Sequence, residues 1–359
     1  MQKESLEFLR QLVDTPSPSG YEARVQDVIR ARLQTCCDKV TTDVHGNVIG
    51  VTNEAAPFRV MLSGHCDEIG FMVVHIDAEG FAYFSSVGGI DPAVVIGQRV
   101  IVHGEKGPVQ GVIGRKAIHL MDRDEKPKPP KIHDLWMDIG ASSRKDAEKV
   151  ISVGDYATLD AGFREMRNGL AVGRGFDDRA GAFVVVEAMR RLRGMKLAVA
   201  VYGVSSVQEE IGLRGARTSA YGIDPSMGIA VDVGHATDYP GGEPKKTGEC
   251  RLGKGPVLHR GPNINPVLEK LLLDVARRKR IPFQITAEPG ATGTDANAIQ
   301  VSRAGVAAAL VSVPNRYMHS SVEMVSLEDL DNASKLLAEA VASLKRNTDF
   351  VPRYQPVGL

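Results

Sequence analysis

The chain has 359 residues, 43% apolar and 25% charged, enough to bury one large core or two smaller ones and too apolar for general disorder. Its 44 Lys and Arg residues balance 44 Asp and Glu residues, so no global positive field draws in nucleic acid or an anionic membrane. The start, Met1 to Leu6, lacks a basic stretch followed by an apolar one, and no run of about 18 apolar residues occurs, which together read as a non-exported, cytoplasmic protein.

In chain order, Leu6, Leu9, Leu12 and Val13 share one helical face, Pro16 to Gly20 breaks the pattern, and Val25, Val28, Ile29 and Leu33 form a second stripe. The adjacent Cys36 and Cys37, with Cys66 and Cys250, make no C-x-x-C pair and no disulfide framework, so a reducing compartment is expected. Arg59 to Gly64 reads as a buried strand. From about Phe71 to Gly162 the texture changes to short runs separated by glycines, among them Val94–Ile96, Val100–Val102 and Val109–Ile113. We read residues 71–162 as a small β domain inserted into an α/β domain made of residues 1–70 and 163–359. Inside it, Asp122 to Pro130 is charged and proline-rich and is expected to be an exposed loop.

Helix and strand alternation then returns. Asp178 to Leu192 is expected to be helical, Leu197–Val201 and Ile229–Val231 to be strands, Asn265 to Arg278 a helix and Ala307 to Val313 a strand. Ser326–Asp329 reads as a capping box opening the last long helix. This alternation predicts an α/β fold with a mostly parallel sheet covered by helices.

Cutting an amide at neutral pH needs an activated nucleophile, a clamp for the developing oxyanion and a proton carrier. Two divalent ions bridged by a carboxylate supply the first two, and in open α/β sheets such sites lie beyond the carboxyl ends of the strands. Five places fit. His65 and Asp67 follow the first apolar strand with spacing that puts them on one side of an extended segment. Asp177 and Asp178 precede a helix, one placed to bridge metals and the other to start the helix. Glu209 and Glu210 follow the Leu197–Val201 run and point in different directions, so that one can hold a metal while the other faces a water. Asp232 closes an apolar strand, where an unpaired carboxylate is costly, and His319 stands at the outlet of Ala307–Val313. Asp177, Asp232, Glu210 and a hydroxide would balance two divalent ions with both histidines neutral, leaving Glu209 free as a base.

The stretches SGHCDEIGFMV, GRGFDDRAGA, SVQEEIGLRGA, VDVGHATDYPG, TGTDANAIQ and RYMHSSVEMVSLEDL resemble the M42 metallo-aminopeptidases, and the similarity covers nearly the entire chain. The resemblance implies a zinc-peptidase-like catalytic domain with a barrel-like or PDZ-like insert used for dimerisation, and dodecamers of tetrahedral shape. It also implies two metals per subunit, zinc or cobalt, one on His65 and Asp232, the other on Glu210 and His319, with Asp177 bridging, Glu209 as general base and Asp67 orienting His65. The substrate would be a peptide with a free N-terminus. A metal-dependent deacylase of N-acyl amino acids or blocked peptides is the alternative enzyme, and a non-catalytic assembly protein the alternative of another class. Arg214, His235, Thr292, Gly293 and Thr294 flank the ligand motifs or lie in the TGTD turn and are candidates for the substrate pocket.

Overall fold

A computed structural model describes residues 1–121 and 129–353. The core of the sheet is four parallel strands, Ala200–Ser206, Arg59–His65, Met227–His235 and Ala307–Arg316, side by side in that order. Antiparallel strands extend it on both sides: Val48–Thr52 and Lys39–Thr42 beyond Ala200–Ser206, and Glu323–Ser326, Leu170–Gly173 and Arg164–Glu165 beyond Ala307–Arg316. A branch runs from Ala307–Arg316 to Val257–Arg260, antiparallel, and on to Gln284–Ala287, parallel.

Side-chain alternation decides which helices cover which face. A Cβ at Gly64 would lie 2.4 Å from the Gly181 carbonyl carbon, so this strand touches the helix Phe176–Leu192 backbone to backbone. Ser63 points the other way and donates to Asp295 at the head of the helix Asp295–Gln300. The long helices Lys3–Asp14 and Leu327–Ala342 pack on Phe176–Leu192, whose buried residues are almost continuous because it is covered all round.

Between Arg59–His65 and Leu170–Gly173 the chain builds a closed six-stranded barrel, in the order Gly70–Ile76, Ala82–Val87, Trp136–Asp138, Gly107–Gly114, Arg99–Gly104 and Tyr156–Leu159. It has its own core, including Phe71, Phe84, Val100, Val102, Ile113 and Met137. The expected α/β fold with a small barrel is thus observed.

Several local expectations change. Val94 and Val95 lie in the short helix Pro92–Val95, not a strand, because Asp91 accepts the Ala93 N–H at 2.8 Å and Pro92 supplies the helical first position. The strand expected at Leu197–Val201 starts at Ala200 and continues to Ser206, since the Asn53 side-chain amide takes the Leu197 and Val199 carbonyls before the ladder begins. The helix before Cys36 ends at Gln34. Ser326 makes no side-chain cap, and Asp329 does not complete a capping box: its carboxylate accepts the Gly253 and Gly255 N–H groups, both at 2.7 Å, tying down a distant loop. Of the loop expected at Asp122 to Pro130, residues 122–128 lie outside the described residues.

Candidate metal centre

The carboxyl ends of the parallel strands converge on two clusters of ligand-type side chains, His65 with Glu209 and Asp232, and Asp177 with Glu210 and His319. Within each cluster one donor atom per residue lies within 4.8 Å of the others. His65 ends its strand, and Glu209 and Glu210 occupy the turn after Ala200–Ser206. Asp232 projects from Met227–His235, and His319 sits past Ala307–Arg316 with φ 60°. Asp177 lies at the head of Phe176–Leu192 and Asp178 starts the helix as expected, accepting the Gly181 N–H at 2.8 Å.

Asp177 stands between the two histidines. Its Oδ1 is 3.3 Å from His65 Nε2 and its Oδ2 is 3.2 Å from His319 Nε2. Glu210 Oε1 is 3.4 Å from His319 Nε2 and is buried without a hydrogen-bond donor. Glu209 Oε2 approaches His65 Nε2 to 3.7 Å. The two glutamates, adjacent in sequence, serve opposite clusters.

The electrostatics are those of a site built for cations. Burial, reinforced by the charge of Asp232, pushes the Glu209 carboxyl up to about 10, and burial likewise raises Glu210 and Asp232. Burial alone would raise Asp177 as well, but the hydrogen bonds of His319 and His65 bring it below the ordinary carboxylate range. Burial works against charge on His65 and His319 too, yet the surrounding carboxylates raise both, His319 to about 11. So many buried acids around two imidazoles repel one another unless positive charge is placed among them, and mixed imidazole and carboxylate donors suit zinc or cobalt.

Asp67 has wider duties than orienting one ring. The nearest acceptor for His65 Nδ1 is the Asp67 carbonyl at 3.0 Å, with the Asp67 carboxylate at 3.4 Å. With Nδ1–H so held, Nε2 would be the nitrogen offered to a metal ion beside Asp177. The Asp67 carboxylate accepts the Glu209 N–H at 3.0 Å, the Glu210 N–H at 3.2 Å and the Ser19 hydroxyl at 2.6 Å. It therefore sets the turn in which Gln208 takes φ 55° and both glutamates are aimed.

The residues missing from the sequence reading are those that hold the ligands. Glu323, 1% exposed, accepts the Asp177 N–H at 2.8 Å and the His319 N–H at 3.0 Å. Asp295 accepts from Ser63 and Ser206 beneath the site, and fully buried Arg179 pairs with Glu68 at 2.5 Å behind it. Glu323 offered one weak signal, an acid four residues after His319 at the start of a strand. Of the pocket candidates, His235, Thr292, Gly293 and Thr294 line the cavity that opens on the two clusters. Arg214 does not: it is exposed at the start of the helix Arg214–Ile223 and faces Gln208. Cys66 is buried in the core, and burial pushes its thiol well up, which makes it unreactive.

A family model described as M42 glutamyl aminopeptidase matches residues 46–336. A lysyl aminopeptidase from Pyrococcus furiosus is 40% identical, the match covering 96% of this chain and 99% of that protein. A TET aminopeptidase from a marine sediment archaeon of the Thaumarchaeota superposes with a TM-score of 0.92 at 36% identity, over 96% of this chain and 98% of that one. The TET1 peptidase of Pyrococcus horikoshii, described as able to assemble into a tetrahedron or a large octahedral shell, gives 0.84 at 32% identity over 95% of this chain and 100% of that one. Sequence, fold and relatives agree, and the chain belongs to the M42 glutamyl aminopeptidase family.

Proposed function

We propose that this chain releases the N-terminal residue of peptides with two divalent ions, zinc or cobalt, held by His65 and Asp232 on one side, Glu210 and His319 on the other, and Asp177 between. The observation that carries this reading is the Asp177 carboxylate, with one oxygen turned to each histidine, at 3.3 and 3.2 Å. When bound, two such ions lower the pKa of a water and polarise the scissile carbonyl. Glu209 takes the proton from that water and delivers it to the leaving amine. Its carboxyl stands beside the ligands, and the Gly212 and Leu213 N–H groups, both 2.9 Å from its carbonyl, close the turn that aims it. The substrate's free α-amine is drawn to the same acid-rich end of the cavity, which makes the chemistry exopeptidic.

The test compares a free peptide with its N-acetylated form, before and after chelation and with zinc or cobalt restored. Release of the first residue from the free peptide alone, lost on chelation and regained with metal, is the expected result. Faster cleavage of the acetylated peptide would establish the deacylase, and no cleavage of either would return the chain to a non-catalytic role.

The same reading makes the chain a cytoplasmic subunit of a homo-oligomer, the barrel carrying a dimer contact and a dodecamer closing the assembly. The assemblies described for the P. horikoshii relative support it, as do exposed apolar side chains on and beside the barrel, Val112, Ile118 and Leu120. No helix among the described residues is long and apolar enough to cross a membrane. Light scattering on the purified protein measures the subunit number. The first residue removed is not set by relatives, since the family description names glutamate and the P. furiosus protein lysine.

A further inference from the structure

The cavity of about 520 Å³ that opens on the metal ligands continues over the branch strands Val257–Arg260 and Gln284–Ala287. Its wall there is a polar track. Ser312 stands in register with Asp232, His259 Nε2 lies 2.9 Å from Ser312 Oγ, and Thr286 is the cross-strand partner of His259. The ladder continues one step, with the Glu288 N–H donating to the Arg260 carbonyl at 2.7 Å, so two-residue alternation puts Glu288 on the same face as Thr286.

This wall has unused hydrogen-bonding capacity. His259 Nδ1 and Thr286 Oγ1 are buried and have no hydrogen-bond partner among the described residues. Glu288 has neither hydrogen bond nor ion pair through its carboxylate among the described residues. Lys246, which lines the same cavity, is already paired with Glu243. Burial pulls His259 down to about 4, so its ring is neutral, and in the tautomer whose Nε2–H donates to Ser312 Oγ its Nδ1 is an acceptor.

We propose that this wall receives the side chain of the N-terminal residue and selects lysine and arginine, with Glu288 taking the cationic head and His259 and Thr286 its remaining N–H groups. The proposal rests on the aminopeptidase reading. An ammonium carries three donors and no acceptor, and a guanidinium five, which matches a wall of acceptors. A glutamate side chain would meet the Glu288 charge with no unpaired cation to hold it. Norleucine, the uncharged counterpart of lysine, would leave the buried acceptors unmet.

The test measures kcat/KM of the metal-loaded protein on the 4-nitroanilides of lysine, arginine, norleucine and glutamate. Lysine and arginine are expected to exceed norleucine by at least about ten-fold, well within the discrimination reached by sites built around polar groups of their substrate. In Glu288→Gln the lysine-to-norleucine ratio is expected to fall toward one, with a smaller fall in Thr286→Val. The ratio is the readout because a folding or metal defect lowers both substrates together. Wild-type preference for norleucine or glutamate, or an unchanged ratio in Glu288→Gln, overturns the proposal. Should none of the four be cleaved, the aminopeptidase reading fails, and calorimetry with lysinamide and norleucinamide still decides the wall. Tighter lysinamide binding that Glu288→Gln abolishes supports it, and equal binding of the two overturns it.

Discussion

Replacing Glu323 by alanine removes a side chain that holds two proposed ligands of the same cluster, Asp177 and His319, which lie far apart in the chain. Its two oxygens accept the Asp177 N–H at 2.8 Å and the His319 N–H at 3.0 Å, and His319 sits at φ 60°, a conformation uncommon for residues other than glycine. Each bond to an ionised acceptor contributes about 1.5–3 kcal/mol. Both lost together cost roughly 3–6 kcal/mol, less whatever water recovers in the space left behind. Accepting both N–H groups requires the carboxylate, yet burial and the charge of Asp177 push this carboxyl well up in the metal-free chain. Cations among the ligands would keep it ionised, so metal and Glu323 support each other. Glu323→Ala is therefore expected to weaken metal binding about 10–100-fold, measured by competition with a fluorescent chelator, and to lower the denaturation midpoint. Glu323→Gln should fall between, since one amide oxygen can still accept while the NH2 faces an N–H. Wild-type metal affinity in Glu323→Ala would refute the reasoning.

Two further perturbations probe the scaffold. Gly64→Ala places a methyl 2.4 Å from the Gly181 carbonyl carbon and 2.6 Å from the Ala182 nitrogen, backbone atoms that cannot move aside alone. A stability loss of about 3 kcal/mol or more with weakened metal binding is expected, and an unchanged melting temperature would contradict the close strand–helix contact. His103, on the barrel strand Arg99–Gly104, stacks on Tyr21 at 5.3 Å and meets Thr158 Oγ1 at 2.9 Å. Burial, with Arg174 nearby, lowers it from 6.5 to about 4. A histidine depressed in the folded state takes its proton more readily when unfolded, so its contribution is present above pH 6.5 and is lost as pH falls toward 4. Chemical denaturation across that range should show a decline that His103→Gln makes shallower, and equal slopes would remove His103 as a cause.

The proposed ligands His65, Glu210, Asp232 and His319 were legible because they stand at or beyond the ends of apolar strands, where an acid or histidine has few alternatives to a paired or metal-bound state, and Asp177 from its place at a helix start. Their supports were not legible, because they are defined by partners remote in the chain: Glu323 holds the backbone of Asp177 from 146 residues away. Arg214 misled through adjacency to the Glu209–Glu210 turn, whereas the helix it begins carries it away from the cavity. The β-branched run at Val94 to Ile96 read as a strand on propensity, and the Asp91–Pro92 pair overrode it with a helical start. Glycine-separated runs in the insert announced β structure, but only the six-strand pairing order closes it into a barrel. The polar track from Ser312 to Glu288 draws on the core strand Ala307–Arg316 and the four-residue branch strands Val257–Arg260 and Gln284–Ala287, which are separate in sequence and meet only through their pairing.

The most direct test of the account is Glu209→Gln, measured for metal content and turnover on the same preparation. Two metal ions per subunit, as in the wild type, are expected, with kcat reduced by about two orders of magnitude or more, the scale of a lost general base. Near-normal turnover with both metals bound would contradict it.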